Sequence, residues 1–214
     1  MSRYHPIINF MSNCSTPKTP LSAIILAGGG STRMGQDKAL LTIEGMPLLQ
    51  RTCLCAQAVA SQVYIVTPWQ KRYQGIIPEG CEVIPEVWSP HDSPQGPLVG
   101  LYQGLQKQTT QWVLALACDL PKLTVPELQF WYEQLETVSE DGVAFLPKSP
   151  QGWEPLCGFY HQQCAGLFAQ YLARGKRSFQ GFLSQYPVQE LKVRDRAVLF
   201  NCNTPEDFAQ LKEN

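Results

Sequence analysis

The chain has no apolar run approaching the roughly 18 residues that crossing a bilayer requires, so it reads as soluble with no membrane partner. It is nearly uncharged overall: 17 Lys and Arg stand against 18 Asp and Glu, leaving a net charge of -1, which signals no surface for nucleic acid. Histidine is scarce, with only His5, His91 and His161, each standing alone. The eight cysteines, at 14, 53, 55, 81, 118, 157, 164 and 202, contain no CxxC pair. Zinc ligation therefore lacks its usual spacing. A disulfide framework is equally out of keeping with a chain of 214 residues whose cysteines are scattered. Several of them lie inside apolar runs, as Cys118 does in Trp112-Val113-Leu114-Ala115-Leu116-Ala117-Cys118. They read as buried free thiols in a reducing cytoplasm.

What is present begins with Leu26-Ala27-Gly28-Gly29-Gly30-Ser31-Thr32-Arg33-Met34-Gly35-Gln36-Asp37-Lys38, directly after the apolar run Leu21 to Leu26. Consecutive glycines at the end of a buried strand let the backbone turn sharply and bring unhindered N–H groups to phosphate oxygens. Arg33 and Lys38 add full positive charge. Two familiar glycine motifs do not fit. GxxxxGK[ST] would need Lys where Gln36 stands, and GxGxxG would need Gly where Arg33 stands. A dinucleotide-binding oxidoreductase is set aside on the same ground, since no acid follows about 20 residues beyond the loop after a second strand.

Short apolar runs alternate with amphipathic ones, which predicts parallel strands joined by crossover helices. Strands are expected at 21–27, 63–67, 81–85, 112–118 and 142–147, and helices at 47–60, 97–108, 125–138, 162–174 and 205–212. The last helix carries the clearest start signal, a Thr204 N-cap, Pro205 at the first position and Glu206 and Asp207 in the first turn. Residues 1–20, with three prolines and only a short apolar patch, are expected to be a disordered or loosely packed arm, with Met11 an alternative start. Residues 21–214 are expected to form a single open, three-layer α/β/α domain with a mostly parallel, Rossmann-like sheet. Its ligand should lie at the carboxyl ends of the strands.

Asp119, in Cys118-Asp119-Leu120-Pro121, ends the most hydrophobic strand and should project from the same sheet edge as the glycine loop. A lone carboxylate there suits Mg2+, which takes one or two protein carboxylates and completes its shell with water and phosphate oxygens. A strand-end aspartate can also simply cap the turn before Pro121. Asp37 and Asp92 are weaker metal candidates and read as exposed loop acids.

With these segments in hand, the chain resembles the molybdenum cofactor guanylyltransferase family from about Leu21 to its C-terminus. Four matches fall in the family's order. They are Leu26 to Lys38; Gly96-Pro97-Leu98-Val99-Gly100, similar to GPLAG; Cys118-Asp119-Leu120-Pro121, similar to CDxP; and Phe200-Asn201-Cys202-Asn203-Thr204-Pro205-Glu206-Asp207, similar to FxNxNTPED. The first and third are shared by many related nucleotidyltransferases, and the second and fourth are more specific. The resemblance implies a nucleotidyltransferase fold and GMP transfer from GTP to the phosphate of molybdopterin, with release of pyrophosphate. Leu26, Ala27, Gly28 and Gly29 would contact the nucleotide, Lys38 and Arg33 its phosphates, and Asp119 both nucleotide and magnesium. Glu86 is the nearest match to an acid that the family places between its third strand and GPLAG, although the family commonly has Asp there. Where members often carry Asn at the end of the second strand, this chain has Ile65-Val66-Thr67-Pro68. Gly152 to Tyr160 resembles an acceptor-side stretch, and also reads as a turn entering an ordinary strand. Carrier proteins or acceptor molybdoenzymes are the protein partners the resemblance implies. Cytidylyl transfer, transfer to a sugar 1-phosphate, and a non-catalytic nucleotide- or cofactor-binding role stay open, because the motifs do not select the base or the acceptor.

Overall fold

The computed structural model describes residues 20–28, 36–87 and 96–213, and the expected arm 1–20 lies outside them except for Pro20. Seven strands form the central sheet: β1 (Leu21–Leu26), β2 (Gln62–Thr67), β3 (Cys81–Pro85), β4 (Trp112–Ala117), β5 (Ala144–Leu146), β6 (Cys157–His161) and β7 (Val188–Glu190). Their order across the sheet is β7-β5-β6-β4-β1-β2-β3. Only β6 runs against its neighbours; β1 to β4 are parallel, as are β5 and β7.

The helices are α1 (Leu48–Gln57), α2 (Gln70–Tyr73), α3 (Pro97–Leu105), α4 (Val125–Glu133), α5 (Cys164–Ala173), α6 (Phe179–Leu183) and α7 (Pro205–Glu213). Strand residues alternate between two apolar layers, as a period of two requires when both faces are covered. Ala23, Ile25, Leu114 and Leu116 join Leu49, Cys53 and Ala56 of α1 and Leu128 and Trp131 of α4 on one face. Ile24, Val113 and Ala115 meet Leu98, Leu101 and Leu105 of α3 and Phe168 of α5 on the other. The three-layer α/β/α expectation is borne out.

Differences from the sequence reading sit where the periodic signal is weak. The helix expected at 125–138 ends at Glu133 and tightens into a 3-10 turn over Gln134–Thr137. The strand expected at 142–147 is three residues long. The expected acceptor-side stretch enters β6, the antiparallel strand beside β4.

Candidate nucleotide site

Because β1, β2, β3 and β4 are parallel, their carboxyl ends emerge at one edge of the sheet. The hydrogen-bond ladder continues past the strands: the Ala27 amide donates to the Val66 carbonyl at 3.0 Å, Glu86 to Thr67 at 3.0 Å, and Cys118 to Leu26 at 3.2 Å. The start of the glycine loop, Glu86 and Cys118-Asp119 are thus held side by side by main-chain bonds. This is the crevice where open α/β sheets bind ligands.

Lys38 opens a 3-10 turn, Lys38–Leu40, whose next residue Ala39 is buried in the core. Its ammonium donates to Asp119 Oδ2 at 3.0 Å and to Asn203 Oδ1 at 2.6 Å. Lys38 and Asp119 are mostly enclosed, with 17% and 16% of their side-chain surfaces exposed. The loop cation and the strand-tip acid therefore share one cleft.

Asn203 belongs to the motif over Phe200 to Asp207, where nothing in the local pattern marks it as a site residue. The expected helix start explains its position. Thr204 caps α7: its hydroxyl accepts the Asp207 amide at 3.1 Å, while Asp207 Oδ2 accepts the Asn203 and Thr204 amides at 2.8 Å each. This reciprocal box fixes the chain entering the helix. The Asn203 amide, with the Thr204 contacts behind it, holds the Asp207 carboxyl below its ordinary value. The Cys202 amide donates to the Asp119 carbonyl at 3.2 Å, tying this segment to the tip of β4.

At the carboxyl ends of β1 and β3, Glu86 lies against Gly28. A Cβ at Gly28 would stand 2.6 Å from Glu86 Oε2 and 3.0 Å from Pro68 Cδ, so the absence of a side chain admits the carboxylate. Gly100 of α3 presents its bare face to the same group, 3.6 Å from Glu86 Oε1 to the position of a Cβ. The next residue, Val87, is held at its backbone by Gln103 of α3, which accepts from the Val87 amide and donates to its carbonyl, both at 3.0 Å. Thr67 has no surface exposed, and its hydroxyl accepts the Trp69 amide at 3.0 Å. Its side chain is spent on the fold rather than offered to a ligand.

Of the expected site residues, Leu26, Ala27, Gly28, Lys38, Glu86 and Asp119 are gathered at this edge. Gly29, Arg33 and Asp92 lie outside the described residues. Asp37 is a correction. Expected as an exposed loop acid, its side chain is only 15% exposed and takes Arg72 Nη1 at 2.8 Å and the Tyr73 hydroxyl at 2.8 Å. Burial, the Asp37 hydrogen bond and the Asp37 charge, in that order, push the Tyr73 hydroxyl well above its usual value.

The donor set suits a hard divalent cation. A carboxylate oxygen of Asp119 and an amide oxygen of Asn203 already converge on one cationic nitrogen, and such oxygens are what magnesium or manganese prefers. Among the described residues no group of three or more His, Cys, Asp or Glu could hold a metal, so the shell would be completed by phosphate and water. Cys118 offers no nucleophile: burial, then the Asp119 and Asp37 charges, push its thiol well above its usual value. The seven described cysteines are all free.

The model of the MobA-like NTP transferase domain matches residues 23–190. The chain belongs to this family. It is 50% identical over 192 residues, 90% of each chain, to the "Probable molybdenum cofactor guanylyltransferase" of Nostoc sp.. Among solved structures, the molybdopterin-guanine dinucleotide biosynthesis protein A from Archaeoglobus fulgidus has the same fold, with a TM-score of 0.72 at 22% identity, covering 90% of this chain and 97% of that one. So does a manganese complex of Rv0371C from Mycobacterium tuberculosis, with a TM-score of 0.66 at 16% identity, covering 92% and 99%. The matched region spans the glycine loop, Glu86 and Asp119.

Proposed function

We propose that residues 21–214 form one nucleotidyltransferase domain that transfers GMP from GTP to molybdopterin, in the cytoplasm where its thiols stay reduced. The observation that carries this is the meeting of Lys38 with Asp119 and Asn203 at the edge that also bears Gly28 and Glu86. A triphosphate laid along this edge would meet Gly28, which carries no side chain, and charge at Lys38. The relatives' name supplies the guanine nucleotide and the cofactor as acceptor.

The chemistry is in-line displacement. A terminal phosphate oxygen of molybdopterin bonds to the α-phosphorus of GTP while the bond from that phosphorus to the β-bridging oxygen breaks, and the electron pair leaves with pyrophosphate. No covalent enzyme intermediate is needed, so the protein's work is positioning and charge neutralisation. Gly28 would contact the nucleotide through its main chain. Glu86 would be the acidic contact to the nucleotide at this edge. Lys38, and Arg33 from the glycine loop, offset charge that builds on the α-phosphate and the leaving group. Mg2+ would be held by Asp119 with the Asn203 amide oxygen, and when bound would act as a Lewis acid toward phosphate oxygens. Carrier proteins or acceptor molybdoenzymes would take the product from the open side of the edge.

The deciding experiment is a pyrophosphate-release assay with GTP and molybdopterin, with and without magnesium. GTP with both additions should give sustained release. CTP, ATP and UTP in its place test the base, and a sugar 1-phosphate tests the acceptor. Release that favours CTP, or that needs a sugar phosphate, moves the function to the corresponding transferase. None with any pairing leaves a binding protein.

A further inference from the structure

Lys38 is the cation on which the site turns, and a lysine is a poor positioning device by itself: a point charge on a flexible four-carbon stem. Where its charge arrives depends on where its backbone is fixed. On its C-terminal side Ala39 is 1% exposed within the core, and the turn is closed by Leu40 and Leu41 amides donating to the Asp37 and Lys38 carbonyls at 3.1 Å each. On its N-terminal side the anchor is Asp37. Its Oδ1 accepts the Ala39 amide at 3.1 Å and the Tyr73 hydroxyl at 3.0 Å, and its Oδ2 accepts from the same hydroxyl and from Arg72 at 2.8 Å each.

Tyr73 closes α2 and is 2% exposed, so its hydroxyl is drawn into an apolar surround where it needs an acceptor. That acceptor comes from 36 positions earlier in the chain. The Arg72 guanidinium lies over the Trp69 ring, 4.6 Å from its centre, which steadies the other donor. Trp69 in turn donates its amide to Thr67, whose carbonyl holds the Glu86 amide. One short segment after β2 thus braces both the loop that presents Lys38 and the strand end that presents Glu86.

We infer that Asp37 is a positioning residue for the nucleotide site: through Tyr73 and Arg72 it fixes the Lys38 backbone so that the ammonium is delivered at the Asp119 edge. This rests on the nucleotide reading of the site given above. Asp37 does not touch the nucleotide; it acts through Lys38.

GTP affinity measured by calorimetry on the full chain, together with a double-mutant cycle, tests this. Asp37→Ala should weaken GTP binding about tenfold, since a displacement of about 1 Å at a charged contact is enough for a loss of that order. Asp37→Asn keeps an oxygen for both Ala39 and Tyr73 and should stay within about threefold of wild type. In a Lys38→Ala background Asp37→Ala should add less than about twofold, because a residue acting through another shows no independent effect once that other is gone. Should Asp37→Ala fail to fold, Tyr73→Phe removes only the donor and should show the same dependence on Lys38. Losses that multiply in the double variant, or wild-type affinity in Asp37→Ala, overturn the inference. A wild-type chain that binds no nucleoside triphosphate removes the reading of the site, and the inference with it.

Discussion

The Lys38 ammonium and the Asp119 carboxylate, 81 positions apart in the chain, meet at 3.0 Å beyond the tip of β4. The pair is largely enclosed, and each charge neutralises the other. A triphosphate with its divalent ion would exchange this contact for two: ammonium to phosphate, and carboxylate to metal. The protein is thereby spared an isolated charge in an enclosed cleft before substrate arrives.

Removing either partner should abolish the exchange. Lys38→Ala and Asp119→Ala are each expected to lower turnover by about two or more powers of ten, the scale of losing one electrostatic contact to a transition state. Pyrophosphate release by variants whose circular dichroism matches wild type measures this. Release at the wild-type rate by either would remove that residue from the reaction.

Gly28→Ala separates folding from binding. The new methyl group would collide with the Glu86 carboxylate at 2.6 Å, the far end of a flexible side chain, and press on Pro68 at 3.0 Å. Moving the carboxylate costs little stability but takes it out of place. The variant should melt within a few degrees of wild type and show KM for GTP raised about tenfold, a shift of about 1.4 kcal/mol, with a smaller change in kcat. An unchanged KM would mean that Glu86 does not read the nucleotide.

Asp207 should matter to activity at a distance. Its folded pKa is depressed by the Asn203 and Thr204 amides. A carboxylate with a depressed pKa adds stability above its unfolded value and loses it as pH falls through the folded one. Across neutral and mildly acidic pH, then, the box around Asn203 stays charged and closed. Asp207→Ala opens it at any pH. Turnover should fall about tenfold as Asn203 loses its fixed backbone, on the reasoning that small misplacement of a contact is costly. A pH–rate profile adds the check: wild type should show no step from this group between pH 5 and 8. Full activity in Asp207→Ala would make the box a matter of helix stability alone.

Metal removal is a separate lever. Treatment with a chelator should abolish pyrophosphate release, and magnesium or manganese should restore it, since both accept oxygen ligands of the kind Asp119 and Asn203 provide. Activity that survives exhaustive chelation would leave Asp119 with its Lys38 contact only.

The layers of the fold were legible because buried parallel strands and amphipathic helices write strong periods into sequence. Leu21 to Leu26 and Trp112 to Ala117 are almost wholly apolar, and they became the central pair β1 and β4. The short elements were not. Helices α2 and α6 span four and five residues, too few to display a helical period. β6 was readable as a strand, but its reversed direction is a property of its neighbours, which no local pattern encodes. In the site, Lys38 and Asp119 were legible because charge next to a glycine turn or at the end of an apolar strand is uncommon. Asn203 was harder: an amide before a helix start is ordinary turn chemistry, and only the fold brings it 165 positions back to Lys38. Asp37 was misread for a related reason. Its buried partner Tyr73 lies in an element the sequence did not reveal.

A buried acid away from the site offers a test of the fold alone. Glu127, 5% exposed in the first turn of α4, accepts at Oε1 from the indole of Trp131 and from the Arg194 amide, both at 2.8 Å. Trp131 is fully buried, so its N–H has no water to turn to. The Arg194 guanidinium lies 3.9 Å from the Phe130 ring centre and covers the same corner. Glu127→Leu would leave the buried Trp131 indole N–H without an acceptor and should cost about 1–3 kcal/mol, the scale of one buried unsatisfied group, while the amide of the exposed Arg194 can turn to water. Glu127→Gln retains the accepting oxygen and should lose less than half of that. Urea unfolding of both variants measures the difference, while GTP affinity of the folded Glu127→Leu protein should stay within about twofold of wild type, because its partners Trp131 and Arg194 are not among the described residues of the nucleotide edge. If the Leu variant proves as stable as wild type, the two hydrogen bonds contribute nothing net, and α4 is held by the apolar packing of Leu128 and Trp131 alone.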